Sequence, residues 1–283
     1  GGMKMNSYTL SNNVSIPELG FGTWQTPNGD VAVSAVKKAL EVGYRHIDTA
    51  QGYKNEDSVG QAIKESGIPR EEIFLTTKLW NENHSYDLVL SSFEESLKKL
   101  QTDYIDLFLI HWPNPVKFRD NWQSANAETW RAMEELYQAG KIKAIGVSNF
   151  LPHHFEELKK TATIFPMVNQ IFLAPGELQK EVVSYCQEHN VLLEAYSPLG
   201  TGKIFDVPEM QELSDKYGKT IAQIAIRWSL QHGFLPLPKS VTPSRIEENL
   251  AVFDFELSDE DMQRIDQLDG VVGKATNPDT TGF

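Results

Sequence analysis

HIDTAQGYKNEDSVGQAIKESGIPREEIFLTTK, residues 46–78, contains two short apolar runs separated by a segment with helical periodicity. The runs HIDTA and EIFLTTK have the length and β-branched content of buried strands, and residues 56–65 between them predict a helix. A strand, a helix and a second strand in this order are typical of a parallel βαβ unit. Asp48 closes the apolar run HID and Lys78 closes IFLTTK, so both strands lead into ionisable groups.

The same alternation of strand and helix continues on both sides of this unit. The further predicted strands are LGFGTW (19–24), YIDLFLIH (104–111), KIKAIGVS (141–148), MVNQI (167–171), VLLEAYS (191–197) and FLPLPK (234–239). The predicted helices cover residues 29–42, 56–65, 85–100, 152–160, 179–190, 221–231 and 243–251, with another that ends near Gly140 after a polar loop over 114–125. A hairpin over 7–17, an additional helix over 258–268 and an irregular tail over 270–283 complete the prediction.

Eight strand–helix units without a break in composition predict one α/β domain over residues 1–283, a (β/α)8 TIM barrel. An open doubly wound sheet is the alternative, and it would usually carry a GxGxxG motif after an early strand. The nearest candidate, Gly20-Phe21-Gly22, has Gln25 in place of the third glycine, and this departure favours the barrel.

Charge and composition limit the possible partners. Lys and Arg total 26 against 39 Asp and Glu, a net charge of −13 at pH 7, so the chain on average repels nucleic acid. No apolar run approaches the ~20 residues of a membrane span, and the N-terminus has no signal-peptide pattern. The single cysteine, Cys186, fits a reducing compartment and lies in a helical pattern, where we expect it to be inert. We expect a cytoplasmic monomer whose residues 1–5 are a tag remnant and a disordered start.

Polar residues at the ends of consecutive strands suggest one reaction centre. Lys78 and His111 end strands three and four, Asp48 ends HID in strand two, and Tyr53 lies in the loop beyond it. Parallel strands would bring these residues to one edge, where an α/β barrel keeps its active site. An ammonium at Lys78, oriented by Asp48, would lower the pKa of the Tyr53 phenol. This set, with His111 bonding a nearby oxygen, suits protonation of an alkoxide formed when hydride from a nicotinamide reaches a carbonyl.

Each of the four residues also has a structural interpretation. Asp48 could cap a strand end, and Tyr53 could be a wall residue. Lys78 could be a surface lysine, and His111 alone would more often be a core histidine. Their joint placement at consecutive strand ends favours the functional interpretation.

Several stretches of the chain resemble the aldo-keto reductase family, in particular its bacterial 2,5-diketo-gluconate and glyoxal or methylglyoxal reductases. In order along the chain, they are LGFGTW, GYRHIDTAQGYKNEDSVG, LTTKLW, YIDLFLIHWP, GKIKAIGVSNF, VNQ, EAYSPLG and LPKSVTPSRIEEN. The resemblance implies a barrel without a Rossmann motif, reduction of carbonyls to alcohols, and a tetrad of Asp48, Tyr53, Lys78 and His111 with Tyr53 as proton donor. The chain departs from close relatives at residues 171–175, IFLAP, where an acidic residue and a histidine are common.

The expected cofactor is NADPH/NADP+ rather than NADH. The amides of Asn149 and Gln170 suit the nicotinamide carboxamide, and Tyr196 suits its ring face. Lys239 and Arg245 flank a predicted helix start and suit a 2′-phosphate, although Arg245 could instead pair with a glutamate on its own helix. The loop 200–203 could cover the pyrophosphate. The full predicted cofactor set is Thr23, Trp24, Ser148, Asn149, Gln170, Tyr196, Ser197, Leu199, Lys239, Ser240, Arg245, Glu248 and Asn249.

The predicted substrate wall consists of indoles at strand ends. Trp24, Trp80 and Trp112 follow strands one, three and four, beside His111, and would surround a small carbonyl substrate. Loops 114–125 and 270–283 would form the rim, and the short tail suggests an open pocket for small aldehydes. No metal-ligand spacing appears, and His153-His154 are expected to face solvent at a helix start.

Two other functions remain open from the sequence. A barrel aldolase would use Lys78 as a Schiff-base nucleophile. A regulatory protein would keep the dinucleotide site without turnover, although an intact tetrad argues against this.

Overall fold

Parallel strands form a barrel in the structure, a computed structural model that describes residues 5–283. One sheet runs in the order β3 to β10, and each strand pairs in parallel with the next. Two backbone bonds close the ring, Gly20 N to Pro236 O at 3.1 Å and Gly22 N to Pro238 O at 3.0 Å. The strands are β3 (Phe21–Gly22), β4 (His46–Asp48), β5 (Phe74–Leu79), β6 (Ile105–Ile110), β7 (Ile142–Ser148), β8 (Val168–Phe172), β9 (Leu192–Tyr196) and β10 (Leu235–Leu237). The predicted (β/α)8 barrel is confirmed.

Helices alternate with the strands along the chain, as the sequence predicts. Their apolar faces are buried against the sheet, while the charged faces are exposed. They are α1 (Asp30–Val42), α2 (Glu56–Ser66), α3 (Tyr86–Leu100), α4 (Trp122–Gln138), α5 (Pro152–Lys159), α6 (Lys180–Glu188), α7 (Pro208–Tyr217), α8 (Ile221–Gln231), α9 (Pro243–Leu250) and α10 (Asp259–Asp266). No helix among residues 5–283 combines the length and apolarity that a bilayer crossing requires.

The N-terminal hairpin packs at the end of the barrel where the strands begin. Its strands, β1 (Ser7–Thr9) and β2 (Ser15–Pro17), pair antiparallel, and Ile16 is fully buried. The proposed tag remnant at residues 1–4 lies outside the described residues, whereas Met5 is half-buried against the core.

Two connections differ from the sequence prediction. The polar loop predicted over 114–125 contains a 3-10 helix, Val116–Asn121, and α4 already begins at Trp122. The segment before α8 contains α7, for which no helix was predicted; Pro208 starts it and Gly218, with φ of 64°, ends it. Both segments follow barrel strands along the chain, and α7 contributes Met210 and Leu213, both fully buried, to the core.

Strand register brings the functional residues to the end of the barrel where the strands finish. Lys78 pairs with Leu109, Ser148 with Gln170, and Phe172 with Tyr196. Because parallel strands finish at the same rim, residues that lie far apart in sequence become neighbours there.

Candidate active site

The four tetrad residues meet at the rim of the barrel. Asp48 and Lys78 lie on β4 and β5, Tyr53 lies in a 3-10 turn (Gln51–Tyr53), and His111 directly follows β6. All but Tyr53 are buried, with Lys78 fully inaccessible. The four residues therefore converge as the sequence predicts.

The Lys78 ammonium uses all three of its hydrogens on neighbouring groups. It donates to Asp48 Oδ1 at 2.6 Å, to the Thr49 carbonyl at 3.1 Å and to the Tyr53 hydroxyl at 3.0 Å. Burial lowers the pKa of Lys78. The charge of Asp48 and the contact with Tyr53 together raise this pKa by more than burial lowers it, so the net pKa lies above the usual value. Lys78 therefore remains charged at neutral pH, with its hydrogens committed to these three partners.

The pKa of Tyr53 moves in the direction opposite to the sequence expectation. Burial raises it above the usual value of 10, the charge of Lys78 opposes this, and the net pKa is raised. The phenol is therefore protonated at neutral pH. Since its oxygen accepts from Lys78, its own hydrogen is left for an acceptor in the cavity that Tyr53 lines.

His111 is an uncharged imidazole held between aromatic rings. Its centroid lies 5.6 Å from both Tyr53 and Trp80, in edge-on contacts, and 6.3 Å from the stacked ring of Trp112. Burial and the charge of Lys78 lower the pKa of His111 well below its usual value. A neutral imidazole beside the phenol can donate one hydrogen bond to an oxygen bound next to Tyr53.

The turn that carries Tyr53 is fixed by Gln51 and Gly52. The Gln51 side chain accepts from the Trp80 backbone N–H at 2.8 Å and donates to Ser96 Oγ at 3.2 Å. A Cβ on Gly52 would lie 2.5 Å from the Trp80 ring, so the turn can approach that indole only with glycine at this position. The positions of Tyr53 and of the pocket wall are thus coupled.

A cavity of about 960 Å³ opens above the tetrad. Of the sequence-predicted cofactor and substrate residues, all except Ser148 line it; Ser148 is buried behind the wall, as is Lys78 of the tetrad. The predicted residues on the wall are Thr23, Trp24, Trp80, His111, Trp112, Asn149, Gln170, Tyr196, Ser197, Leu199, Lys239, Ser240, Arg245, Glu248 and Asn249.

The amide groups on the wall are already hydrogen-bonded within the protein. Asn149 Nδ2 donates to the His111 carbonyl at 3.0 Å, and its Oδ1 accepts from the Tyr196 hydroxyl at 2.7 Å. Ser148 Oγ donates to the Gln170 carbonyl at 2.7 Å. Ser148 and Asn149 therefore serve at least to tie β7 to its neighbours, whereas Gln170 Oε1 and Asn249 Oδ1 accept no hydrogen bond from residues 5–283.

Cations surround the far part of the cavity. The predicted Lys239 and Arg245 are joined by Lys203 and Lys274, which the sequence analysis did not select. Among residues 5–283, none of these four has a carboxylate within ion-pair distance, so the alternative Arg245–Glu248 pair does not form. Four unpaired cations around one cavity, in a chain of net charge −13, make a site for an anionic ligand.

The substrate side of the wall includes two aromatic residues that sequence reasoning missed. Phe172 lies 6.1 Å from Tyr196 in the stretch that departs from close relatives, and Phe283 lies 4.8 Å from Trp112. The tail that carries Phe283 is tied down by Arg119, which donates to the carbonyls of Pro278 and Thr281. An aromatic residue in an apolar strand was a usable signal for Phe172, whereas the irregular tail offered none.

The adjacent histidines do not both face solvent, so that prediction is wrong for His154. His153 is exposed, but His154 is fully buried and its Nε2 lies 2.7 Å from Asp279 Oδ1 in the tail. His154 Nδ1 accepts from the Leu151 N–H, which places the ring hydrogen on Nε2, facing Asp279. This pair fastens the tail beside Trp122, whose ring lies edge-on to His154 at 5.3 Å.

Comparisons with known proteins agree with this architecture. A family profile described as Aldo/keto reductase family matches residues 18–270. Glyoxal reductase of Bacillus subtilis (strain 168) is 50% identical over 274 residues, covering 97% of this chain and 96% of that protein. Methylglyoxal reductase DkgA of Escherichia coli (strain K12) is 47% identical over 270 residues, 95% of this chain and 94% of the relative.

A comparison with solved structures also finds similar proteins. A crystal structure of a Gox0644 mutant in complex with NADPH superposes with a TM-score of 0.92 at 39% identity, covering 99% of this chain and all of that one. The profile match spans most of the sequence, and the relatives match it nearly end to end. The chain belongs to the aldo/keto reductase family and is an oxidoreductase.

Proposed function

We propose that the protein reduces aldehydes and ketones to alcohols with NADPH, and that Tyr53 gives the proton to the carbonyl oxygen. One observation carries this proposal: the Lys78 ammonium is saturated by Asp48, Thr49 and Tyr53, which leaves the phenol hydrogen free toward the cavity. Small aldehydes, 2-oxoaldehydes and keto sugars are the proposed substrate class, supported by relatives named glyoxal and methylglyoxal reductase.

The residues on the wall fit a phosphorylated dinucleotide. The nicotinamide supplies hydride when it is bound. The Gln170 amide oxygen and the Tyr196 ring lie in the part of the cavity beside Tyr53, where a carboxamide and its ring would bind. Arg245 and Lys239 lie around the start of α9, and their unpaired charges suit a 2′-phosphate, which NADH lacks.

Proton delivery follows from the charges of the site. As hydride reaches the carbonyl carbon, negative charge develops on the carbonyl oxygen, and Tyr53 donates its proton there. The phenolate that remains is stabilised by the Lys78 ammonium 3.0 Å away. His111, uncharged, donates a hydrogen bond to the same carbonyl oxygen and orients it. The Trp80 and Trp112 rings exclude water on the substrate side.

Replacement of the proton donor tests the chemistry directly. We expect Tyr53→Phe to lose nearly all turnover of a 2-oxoaldehyde while NADPH binding, followed by quenching of protein fluorescence, survives. Tyr137→Phe is the matched control, because Tyr137 lies on α4, outside the cavity, and its hydroxyl accepts from Asn12 Nδ2. Comparable turnover in Tyr53→Phe and wild-type enzyme would refute the assignment.

Cofactor preference tests the cationic part of the cavity. We expect Arg245→Ala to weaken NADPH binding by about tenfold or more, the scale of a charge-assisted bond, and to leave NADH binding nearly unchanged. Arg131→Ala is the control, since Arg131 is exposed on α4 and pairs with Glu128. An equal loss for both cofactors would place the 2′-phosphate elsewhere.

The aldolase alternative is not supported by the state of Lys78. A Schiff base needs an uncharged amine that substrate can reach, whereas Lys78 is charged, inaccessible and bonded through all three hydrogens. A regulatory protein without turnover would bind NADPH but consume none across an aldehyde panel.

We also propose one domain over residues 5–283, because all eight barrel strands lie in one sheet. The monomeric state and the cytoplasmic location stay predictions.

A further inference from the structure

A second carboxyl group lies inside the barrel, below the tetrad. Glu194 on β9 is fully buried, two residues before Tyr196. Its Oε1 accepts from Gln170 Nε2 at 3.0 Å, and its Oε2 lies 3.7 Å from His46 Nε2. Burying a carboxyl group costs folding free energy unless hydrogen bonds or charges compensate for the lost hydration. A carboxyl group in this otherwise apolar strand therefore suggests a function for Glu194.

The amide of Gln170 is orientated by two carboxyl groups. Its Nε2 donates one hydrogen to Asp48 Oδ2 at 2.8 Å and the other to Glu194 Oε1 at 3.0 Å. The reverse orientation would set the amide oxygen against the Asp48 carboxylate, which has no hydrogen to offer. The Gln170 oxygen is therefore the atom left for a ligand in the cavity that this residue lines.

The charges around Glu194 favour its protonated form. The groups that face it are His46 and Asp48 on β4, Tyr53 in the turn after β4, and Lys78 on β5. Lys78 is committed to Asp48, and burial lowers the pKa of His46 to about 4, so no cation is left to balance a second carboxylate. Burial, with the charge of Asp48, raises the pKa of Glu194 to about 8.

We propose that Glu194 is a positioning residue, an uncharged carboxylic acid that holds the Gln170 amide nitrogen inward so that its oxygen meets the N–H of a bound carboxamide. The proposal rests on the nicotinamide cofactor of the proposed function. Glu194 Oε1 accepts from Gln170, while Oε2 lies 3.7 Å from His46 Nε2, beyond hydrogen-bond distance, so that a hydrogen on Oε2 would face that nitrogen. The other ring nitrogen of His46, Nδ1, lies 3.4 Å from the Pro17 carbonyl in the N-terminal hairpin.

Binding of two cofactors to Glu194 variants tests the proposal. The reduced 3-acetylpyridine analogue of NADPH keeps the ring carbonyl but has a methyl group in place of the carboxamide nitrogen. We expect Glu194→Leu to weaken NADPH binding by about tenfold, the scale of one hydrogen bond, and to leave the analogue nearly unaffected. Glu194→Gln should bind both as wild type does, because its amide accepts from Gln170 and donates toward His46.

The outcomes separate this proposal from the proposed function. Failure of the wild-type protein to bind NADPH would overturn the proposed function. Normal NADPH binding by the wild type, with an equal loss or no loss for both cofactors in Glu194→Leu, would overturn the role of Glu194 alone.

A stability measurement keeps the proposal testable if Glu194→Leu does not fold. The pKa of Glu194 is higher in the folded than in the unfolded chain, so wild type loses stability as pH rises from the unfolded value of 4.5 toward about 8. Glutamine does not titrate, so the stability of Glu194→Gln relative to wild type should increase across this range and then level off. A difference that is constant with pH would show Glu194 ionised throughout and would overturn the proposal.

Discussion

The substitution Asp48→Asn removes the negative charge from the buried ion pair but keeps the size and shape of the side chain. Asp48 is 2% exposed and its carboxylate lies 2.6 Å from the fully buried Lys78 ammonium. Removing one partner of such a pair leaves an uncompensated buried charge, which lowers the free energy of unfolding by roughly 3–5 kcal/mol. Asparagine retains an acceptor for Lys78, so we expect the lower limit, about 3 kcal/mol. For a chain of this size, that corresponds to a fall in Tm of roughly 6–12 °C.

Thermal unfolding followed by circular dichroism, with enzyme turnover in parallel, measures this effect. Glu94→Gln is the matched control, because Glu94 pairs with Lys141 at 2.9 Å with both side chains about half exposed. Such a surface pair contributes about 0–1 kcal/mol, so the Tm of this variant should barely change. If both variants unfold at the wild-type temperature, the Lys78 charge does not depend on Asp48 in the way argued above.

Three further predictions follow from other parts of the structure. Cys186 is fully buried and burial raises the pKa of its thiol to about 12, so a disulfide reagent at about pH 8 should label it only after unfolding. Asp279→Ala should release the tail that carries Phe283, raising KM for the carbonyl several-fold; an unchanged KM would contradict this. Because burial keeps Tyr53 protonated and His111 uncharged near neutral pH, the rate of reduction should vary little from about pH 6 to 8, whereas alcohol oxidation, which needs the phenolate, should increase with pH.

The sequence predicted those parts of the site that lie on regular elements. Asp48, Lys78 and His111 follow apolar strands, and a parallel barrel determines that such positions share one rim. Lys274 and Phe283 belong to an irregular segment without periodicity, so their approach to the cavity depends on contacts such as that of Asp279 with His154, 125 residues apart. Glu194 was detectable: a carboxyl within an apolar strand is the same signal that selected Asp48.

The barrel interior balances its charges in a way that bears on the reaction. Lys78 and Asp48 form one ion pair, while Glu194 and His46 are uncharged, so the buried groups below the substrate carry no net charge. The positive end of that pair faces Tyr53, where negative charge would remain after the proposed proton donation. An ionised Glu194 would add negative charge and raise the pKa of Tyr53 further, weakening the acid. Keeping Glu194 protonated therefore serves the proposed proton donor, Tyr53, as well as the proposed orientation of Gln170.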